Sequence, residues 1–135
     1  MDAVFVDSNV FLRYLTADDE EQSAQAKNLF QKAIEGKVNL ITGPPVLFEI
    51  SWTLKVRYKR NAAEILDILE ALVSASWLSM ADKNIAEHAI IIARKSGQDF
   101  ADAYIHESAL KMGAQSIATF NRKHFARMDA HLMDL

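Results

Sequence analysis

The sequence predicts an α/β fold in which helices cover a parallel sheet. Ala3–Val6 is an apolar run of strand length, and it is followed by residues with helical apolar spacing. Further strand-like segments, at 38–42, 77–80 and 115–119, alternate with longer helical ones. Strands that alternate with helices are typical of parallel sheets with right-handed crossovers. Because the first run is uninterrupted, it also indicates a strand buried on both faces.

Length and composition limit the class of protein. The chain has 135 residues, of which 50% are hydrophobic and 24% are charged. These values predict one domain, spanning residues 1–135, with its own core. The net charge of -3 provides no global basic field, so any nucleic-acid binding must use a local patch. The sequence has no cysteine, which excludes disulfides and thiolate zinc sites.

Targeting signals are not readable in the sequence. The first apolar run is flanked by Asp2 and Asp7 and is too short for the core of a signal peptide. No apolar stretch reaches the roughly 20 residues of a membrane span. We therefore expect a soluble, cytoplasmic protein with no membrane contact.

The first half of the chain divides into two strands and three helices. The first strand ends at Asp7, and a short helix is predicted at 10–15. The acidic run at 16–20 suits the positive end of a second helix, which carries an apolar stripe as far as Gly36. After the strand at 38–42, two prolines favour the first turn of a helix that runs from about 44 to 57.

This third helix is apolar nearly all round, which predicts that more than one neighbour covers it, and one of those neighbours could be a second subunit. Glu49 is the acid in its apolar middle, where an ionised carboxylate is costly unless it is paired or binds a cation. A basic run, Arg57-Tyr58-Lys59-Arg60, follows the helix. This run is interpreted as solvated charge at a helix end, or alternatively as an RNA-contacting patch.

The second half continues the alternation. The predicted elements are a helix capped by Asn61, a strand at 77–80, a helix capped by Asp82, a helix from Asp99 to Met112, a strand at 115–119, a helical turn around Phe125 and a small last strand at 131–133. No internal repeat, low-complexity segment or linker interrupts this pattern.

Acidic residues recur at positions that a parallel sheet brings together. Asp7 and Asn121 each follow a predicted strand, and strand ends of this kind gather at one edge of the sheet. Asp99 and Asp102 are three residues apart at a helix start and so share a face. If Glu49 joins them, the oxygen ligands suit Mg²⁺ or Mn²⁺. Converging carboxylates that hold such ions can hydrolyse phosphodiester bonds.

Each of these residues also has a local structural interpretation. The alternatives are a helix-capping role for Asp7, Asp99 and Asp102, an ion pair of Glu49 with Lys55 or Arg13, a turn at Asn121, and a packing or ligand-supporting role for His106. Taken one at a time, none of the residues distinguishes a metal site from these alternatives.

Taken in order, four blocks resemble the PIN-domain ribonucleases, and the length resembles the VapC toxins of prokaryotic toxin–antitoxin pairs. The blocks are Val4-Phe5-Val6-Asp7-Ser8-Asn9, Leu47-Phe48-Glu49-Ile50, Asp99-Phe100-Ala101-Asp102-Ala103, and Ile117-Ala118-Thr119-Phe120-Asn121 with Phe125 close behind. The resemblance covers essentially the whole chain. It implies a three-layer α/β/α sandwich and a Mg²⁺- or Mn²⁺-dependent endoribonuclease acting on RNA. It also implies a homodimer and a cognate VapB-like antitoxin.

The resemblance also implies roles for particular residues. Asp7, Glu49 and Asp102 match the three core acids of the family and are expected to be catalytic metal ligands. Asp99 and Asn121 are expected to support the metal, and Ser8, Asn9 and Thr119 are expected to lie beside the site. Where the family typically has a fourth Asp, this chain has Asn121, which removes one negative charge and should weaken a second metal first.

Two other functions are compatible with the same residues. One is a PIN nuclease that works in RNA processing, or on DNA ends, without an antitoxin. The other is a catalytically silent module that binds RNA or a protein partner, because a fold does not fix a function. The presence of three acids favours an enzyme over the silent module.

Overall fold

Seven helices accompany a three-stranded parallel sheet in a computed structural model, which describes residues 2–135 of the chain. The strands are β1 (Ala3–Phe5), β2 (Asn39–Thr42) and β3 (Leu78–Met80), and they lie side by side in that order. Val4 is opposite Leu40, and Leu40 is opposite Leu78. The predicted α/β class with a parallel sheet is therefore confirmed.

The helices follow the apolar periodicity of the sequence closely. They are α1 (Ser8–Thr16), α2 (Glu20–Ile34), α3 (Pro44–Val56), α4 (Ala62–Ser74), α5 (Lys83–Ser96), α6 (Phe100–Lys111) and α7 (Arg122–Ala126). Asn61 caps α4 through its side chain, as predicted, and Asp19 caps α2 in the same way. Asp82 occupies the residue before α5, but in the described chain its side chain makes no capping hydrogen bond. Within residues 2–135, no helix is both long and apolar enough to cross a bilayer.

The first strand is less buried than the sequence predicts. All three residues of β1 are exposed, with 59% of Phe5 accessible, and burial begins only at Val6. The reason is its position: β1 is an edge strand, and within residues 2–135 its extensive contacts are with β2 and not with a helix that would cover its faces. The prediction of a strand covered on both faces is wrong.

The fourth and last predicted strands pair with each other instead of extending the sheet. Ile117 and Leu132 form an isolated parallel bridge. The amide of Ile117 donates to the carbonyl of His131 at 2.8 Å, and the amide of Met133 donates to the carbonyl of Ile117 at 2.9 Å. In the part of the chain that the structure describes, these segments are therefore a separate bridge beyond the end of α6.

Helix α3 lies at the centre of the packing. Leu47, Ile50 and Leu54 are completely buried, and the helix contacts α1, α4 and α6. This confirms that several neighbours cover it. One stripe nevertheless faces outward and includes Trp52, which is 65% exposed.

An aromatic trio joins α3 to α6. The ring of Phe48 lies 5.7 Å from that of Phe100 and 5.1 Å from that of Tyr104, the latter edge to face. Burial raises the pKa of Tyr104, with the Asp82 carboxylate adding to the effect. The trio fixes the helix that carries Glu49 against the helix that carries Asp102.

Candidate functional site

The end of β1 brings two predicted site residues together through a third. Asp7 is the N-cap of α1, and its Oδ1 accepts a hydrogen bond from the backbone amide of Ser8 at 2.8 Å. The Ser8 hydroxyl is buried and donates to Oε2 of Glu49 at 2.5 Å. The same hydroxyl lies 3.5 Å from Oδ1 of Asp7. Ser8 therefore bridges two carboxylates that are 42 residues apart in the sequence.

The surroundings of Glu49 differ from those expected. The sequence predicts an acid in an apolar environment, but Glu49 is exposed on the outward stripe of α3 together with Pro45, Trp52 and Val56. These residues are spaced by four, three and four, so they share one helix face. Trp52 and Val56 are apolar although they are exposed, so the sequence does not show that this face is open to solvent. For that reason the sequence predicts a buried acid at position 49. The pairing of Glu49 with Lys55 or Arg13 is wrong as well, since Lys55 bonds Asp99 and Arg13 bonds Asp18 and Gln22.

A second pair of side chains forms where α6 meets α7. Asp102 lies in the first turn of α6, and its Oδ2 is 3.1 Å from Nδ1 of His124 in α7. The Asp102 side chain is 20% exposed and that of His124 is 49% exposed. Sequence reasoning missed His124. The available signal was its position three residues after Asn121, in a block already expected at the site.

Asp99 and Asp102 have different partners. Asp99 precedes α6 at the N-cap position, but within residues 2–135 its side chain makes no capping hydrogen bond. Both of its carboxylate oxygens lie 3.1 Å from Nζ of Lys55, and its side chain is 60% exposed. The carboxylate of Asp99 therefore faces α3, whereas that of Asp102 faces α7.

Thr119 and Asn121 form a turn before α7. The Thr119 hydroxyl accepts a hydrogen bond from the backbone amide of Asn121 at 3.0 Å. Asn121 is exposed at the N-cap position, and within residues 2–135 its side chain makes no capping hydrogen bond. This geometry agrees with the turn interpretation of Asn121 and leaves its amide oxygen available to a ligand.

Asn9 and His106 have contrasting environments. Asn9 is exposed and lines a cleft of about 440 Å³ between α1 and α2, together with Arg13 and Gln22. His106 is 6% exposed, and its Nδ1 has no hydrogen-bond partner among the residues that the structure describes. The burial of His106 agrees with the packing role that the sequence left open.

The basic run after α3 is mostly engaged in local contacts. The guanidinium of Arg57 lies over the ring of Tyr58 at 5.4 Å, and Arg60 forms an ion pair with Glu64 at 3.1 Å. These contacts agree with the interpretation of the run as solvated charge at a helix end.

The predicted acids thus lie in two separate groups rather than one cluster. Asp7 and Glu49 meet at Ser8, and Asp102 contacts His124. Within residues 2–135, no three His, Asp or Glu side chains lie close enough together to hold a metal ion. Asp7, Glu49 and Asp102 nevertheless share one feature. Each uses one carboxylate oxygen in a hydrogen bond, and in the described chain the other oxygen accepts none. Each of the three acids therefore keeps one carboxylate oxygen that is free among the described residues.

Comparison with known proteins agrees with the residue pattern and the fold. The family model for the PIN domain matches residues 4–131. The chain is also similar to a protein of Aquifex aeolicus (strain VF5) described as a VapC ribonuclease. The two are 23% identical over 118 residues, which cover 87% of each chain. The match to the family model extends over both pairs, Ser8–Glu49 and Asp102–His124.

Proposed function

This chain belongs to the PIN-domain family, and from that premise we propose that it is a Mg²⁺- or Mn²⁺-dependent endoribonuclease, the toxin of a VapBC-type toxin–antitoxin pair. The observation that carries the proposal is the bridge from Asp7 through Ser8 to Glu49. It keeps two exposed carboxylates side by side at the end of β1. The relative described as a VapC ribonuclease supports RNA as the substrate.

The chemistry of the donors fits a hard divalent cation. Asp7, Glu49 and Asp102 are carboxylates, which suit Mg²⁺ and Mn²⁺, and the chain has no thiol that would favour a softer ion. Asp7 and Glu49, which meet at Ser8, would hold the cation first, and Asp102, which contacts His124 in the metal-free chain, would complete the set, with Asp99 and Asn121 in support. A bound cation would supply a more acidic water as nucleophile and would neutralise charge that develops on the phosphate.

The chain's own residues would prepare this chemistry. Ser8 holds the Glu49 carboxylate and lies within reach of Asp7, so the two carboxylates are positioned before any ligand arrives. The aromatic trio of Phe48, Phe100 and Tyr104 keeps α3 and α6 in contact, and these helices carry Glu49 and Asp102. Thr119 shapes the turn that presents Asn121.

Cleavage of a single-stranded RNA tests the enzymatic part of the proposal. We expect cleavage in Mg²⁺ that is lost after chelation and is abolished in Asp7→Asn and in Asp102→Asn. The matched control is Asp134→Asn, which removes a carboxylate at an exposed position. Circular dichroism should show that all three variants keep the fold. Near wild-type cleavage by either Asp7→Asn or Asp102→Asn would refute the metal assignment.

Co-purification tests the toxin–antitoxin part. We propose that residues 1–135 act as one domain in the cytoplasm, where a VapB-like antitoxin binds the protein and blocks cleavage. Expression of the native operon should yield a complex with the product of an adjacent reading frame, and removal of that partner should release activity. An active nuclease with no such neighbour would instead be a PIN nuclease of RNA processing.

A further inference from the structure

We propose that Phe120 is a stacking platform for an unpaired base of the RNA, and that Lys123 and Arg127 bind phosphates of the same strand. This inference rests on the proposed function, because it takes RNA as the substrate. It adds residues that bind the strand to the acids that are expected to hold the metal.

The first argument is the exposure of Phe120 beside the candidate site. Phe120 is 92% exposed, more than any other large apolar side chain within residues 2–135. It lies in the turn before α7, directly before Asn121. Four residues further on, His124 contacts the Asp102 carboxylate. An aromatic ring that is open to solvent at this position can accept the flat face of a base, and every base of single-stranded RNA has such a face.

The second argument is that hydrogen bonds hold the backbone on both sides of Phe120. Met133 joins the two flanks of the turn. Its amide donates to the carbonyl of Ile117 at 2.9 Å, and its carbonyl accepts from Nη1 of Arg122 at 3.0 Å. Between these contacts, the Thr119 hydroxyl accepts from the backbone amide two residues further on at 3.0 Å. Because the turn is already ordered, little conformational entropy is lost when a base stacks on it.

The third argument is the charge of the same segment. Residues 119–128 carry three cationic side chains, those of Arg122, Lys123 and Arg127, and no carboxylate. Arg122 faces Asp134 at 3.9 Å. Lys123 and Arg127 are exposed, and within the described chain neither forms an ion pair. They are one turn apart, since the amide of Arg127 donates to the carbonyl of Lys123. Two exposed cations on one turn suit a strand that carries a phosphate on every nucleotide.

The basic run after α3 lacks this combination of an exposed ring and unpaired cations. The guanidinium of Arg57 lies over the ring of Tyr58, and the Tyr58 hydroxyl donates to Asp18 at 2.6 Å. Arg60 forms an ion pair with Glu64 at 3.1 Å. The aromatic ring and two cations of that run are therefore engaged within the chain. The segment around α7 is the better candidate for the local patch that RNA binding requires in a chain of net charge -3.

The test of stacking compares Phe120→Leu with Phe120→Trp in the full chain. Leucine keeps an apolar side chain but cannot stack, whereas tryptophan keeps an aromatic face. Because Phe120 is almost fully exposed, neither variant should change the melting temperature much. The matched control is Met112→Leu, which alters an apolar side chain that is 86% exposed at the end of α6.

Two strands of equal length are the probes: a mixed-sequence single-stranded RNA and a ribose–phosphate strand that lacks bases. Dissociation constants are measured in chelator, and kcat and KM for cleavage of the RNA are measured in Mg²⁺. We expect the wild type to bind the RNA about tenfold more tightly than the base-free strand. Phe120→Leu should lose this preference, and its KM should rise about tenfold with little change in kcat. Phe120→Trp and Met112→Leu should match the wild type.

Lys123→Gln and Arg127→Gln test the phosphate contacts. Each variant should weaken the binding of both strands equally, since both strands carry the phosphates. Each should also reduce the slope of log affinity against log salt concentration by about 0.7. The control is Lys111→Gln, which removes an exposed cation at the end of α6 and should leave the slope unchanged. A wild-type slope in both Lys123→Gln and Arg127→Gln would exclude these residues as phosphate contacts.

Other outcomes would overturn the stacking platform and show whether the proposed function fails with it. If Phe120→Leu kept the wild-type dissociation constant and KM for RNA, Phe120 would not contact the substrate. If that variant also lost a protein partner encoded in the native operon, the exposed ring would be a protein contact instead. Cleavage that is present in the wild type and absent in Asp7→Asn would confine the failure to Phe120. A wild type that neither bound nor cleaved RNA would refute the proposed function as well.

Discussion

The buried hydroxyl of Ser8 donates a 2.5 Å hydrogen bond to Oε2 of Glu49 and joins the first turn of α1 to the middle of α3. Hydrogen bonds to ionised groups are stronger than neutral ones and orient the acceptor. Ser8 therefore determines where the Glu49 carboxylate points, on a helix face that is otherwise open to solvent.

Replacing Ser8 by alanine should separate positioning from stability. We expect Ser8→Ala to reduce RNA cleavage about tenfold or more, because groups that orient metal ligands have effects of this size. The free energy of unfolding should fall by only about 1 kcal/mol, since Glu49 can hydrogen-bond to water instead. The control is Ser108→Ala, which removes a hydroxyl that bonds the Tyr104 carbonyl within α6. Equal activity in both variants would exclude a positioning role for Ser8.

Replacing Asn121 by aspartate should strengthen metal binding. The added carboxylate would supply the missing negative charge, so Asn121→Asp should bind Mg²⁺ more tightly and need less Mg²⁺ for half-maximal cleavage. Without metal, the variant should melt at a lower temperature, because another like charge joins the site. Asn and Asp are equally good N-caps, so the difference between the variant and the wild type should not come from a change in the capping of α7. Calorimetric titration and melting with and without Mg²⁺ measure both effects. No change in either would leave Asn121 as a turn residue only.

The exposed stripe of α3 predicts a homodimer. Trp52 and Val56 are 65% and 43% exposed at the C-terminal end of this face, and a two-fold contact limited to that end would cover them and leave Glu49 open to the cation and RNA. Light scattering should give the mass of a dimer at micromolar concentration, and Trp52→Glu should give a monomer. Leu110→Glu is the control, since Leu110 is a comparably exposed apolar residue in α6. A wild-type monomer without antitoxin would contradict the prediction.

Asp18 should contribute a pH-dependent part of the stability. The Tyr58 hydroxyl donates to its Oδ2 at 2.6 Å, and this hydrogen bond is the main reason that the pKa of Asp18 is lowered, with smaller contributions from Thr16 and Arg13. A carboxyl whose pKa is lower in the folded state stabilises the fold above its unfolded pKa. That stabilisation is lost as the pH falls through the folded pKa.

The Tyr58→Phe variant tests this linkage. We expect the Asp18 pKa to rise toward its ordinary value, as measured by NMR titration. The variant should melt below the wild type at neutral pH, and this difference should shrink in acid. Tyr14→Phe, which alters a half-exposed tyrosine, should change neither quantity. An unchanged Asp18 pKa in Tyr58→Phe would show that the hydrogen bond does not form in solution.

The sequence by itself determined the local elements and the identity of the acids. Apolar periodicity gave the helices, the strand-length apolar runs gave β1 to β3, and Asn61 was predicted as a cap. These features depend on contacts between residues a few positions apart, which a pattern in the sequence records directly. The order of the carboxylates along the chain was enough to indicate the family.

Only the tertiary structure decided which side chains meet. Ser8 contacts Glu49, which is 41 positions away in the sequence, because α3 packs on α1. Asp102 contacts His124, which is 22 positions away, because α6 packs on α7. The pairing of Ile117 with Leu132, and the exposure of Glu49 on an apolar helix, were decided in the same way. Such choices depend on the relative placement of whole elements, and no periodicity within one element encodes that placement.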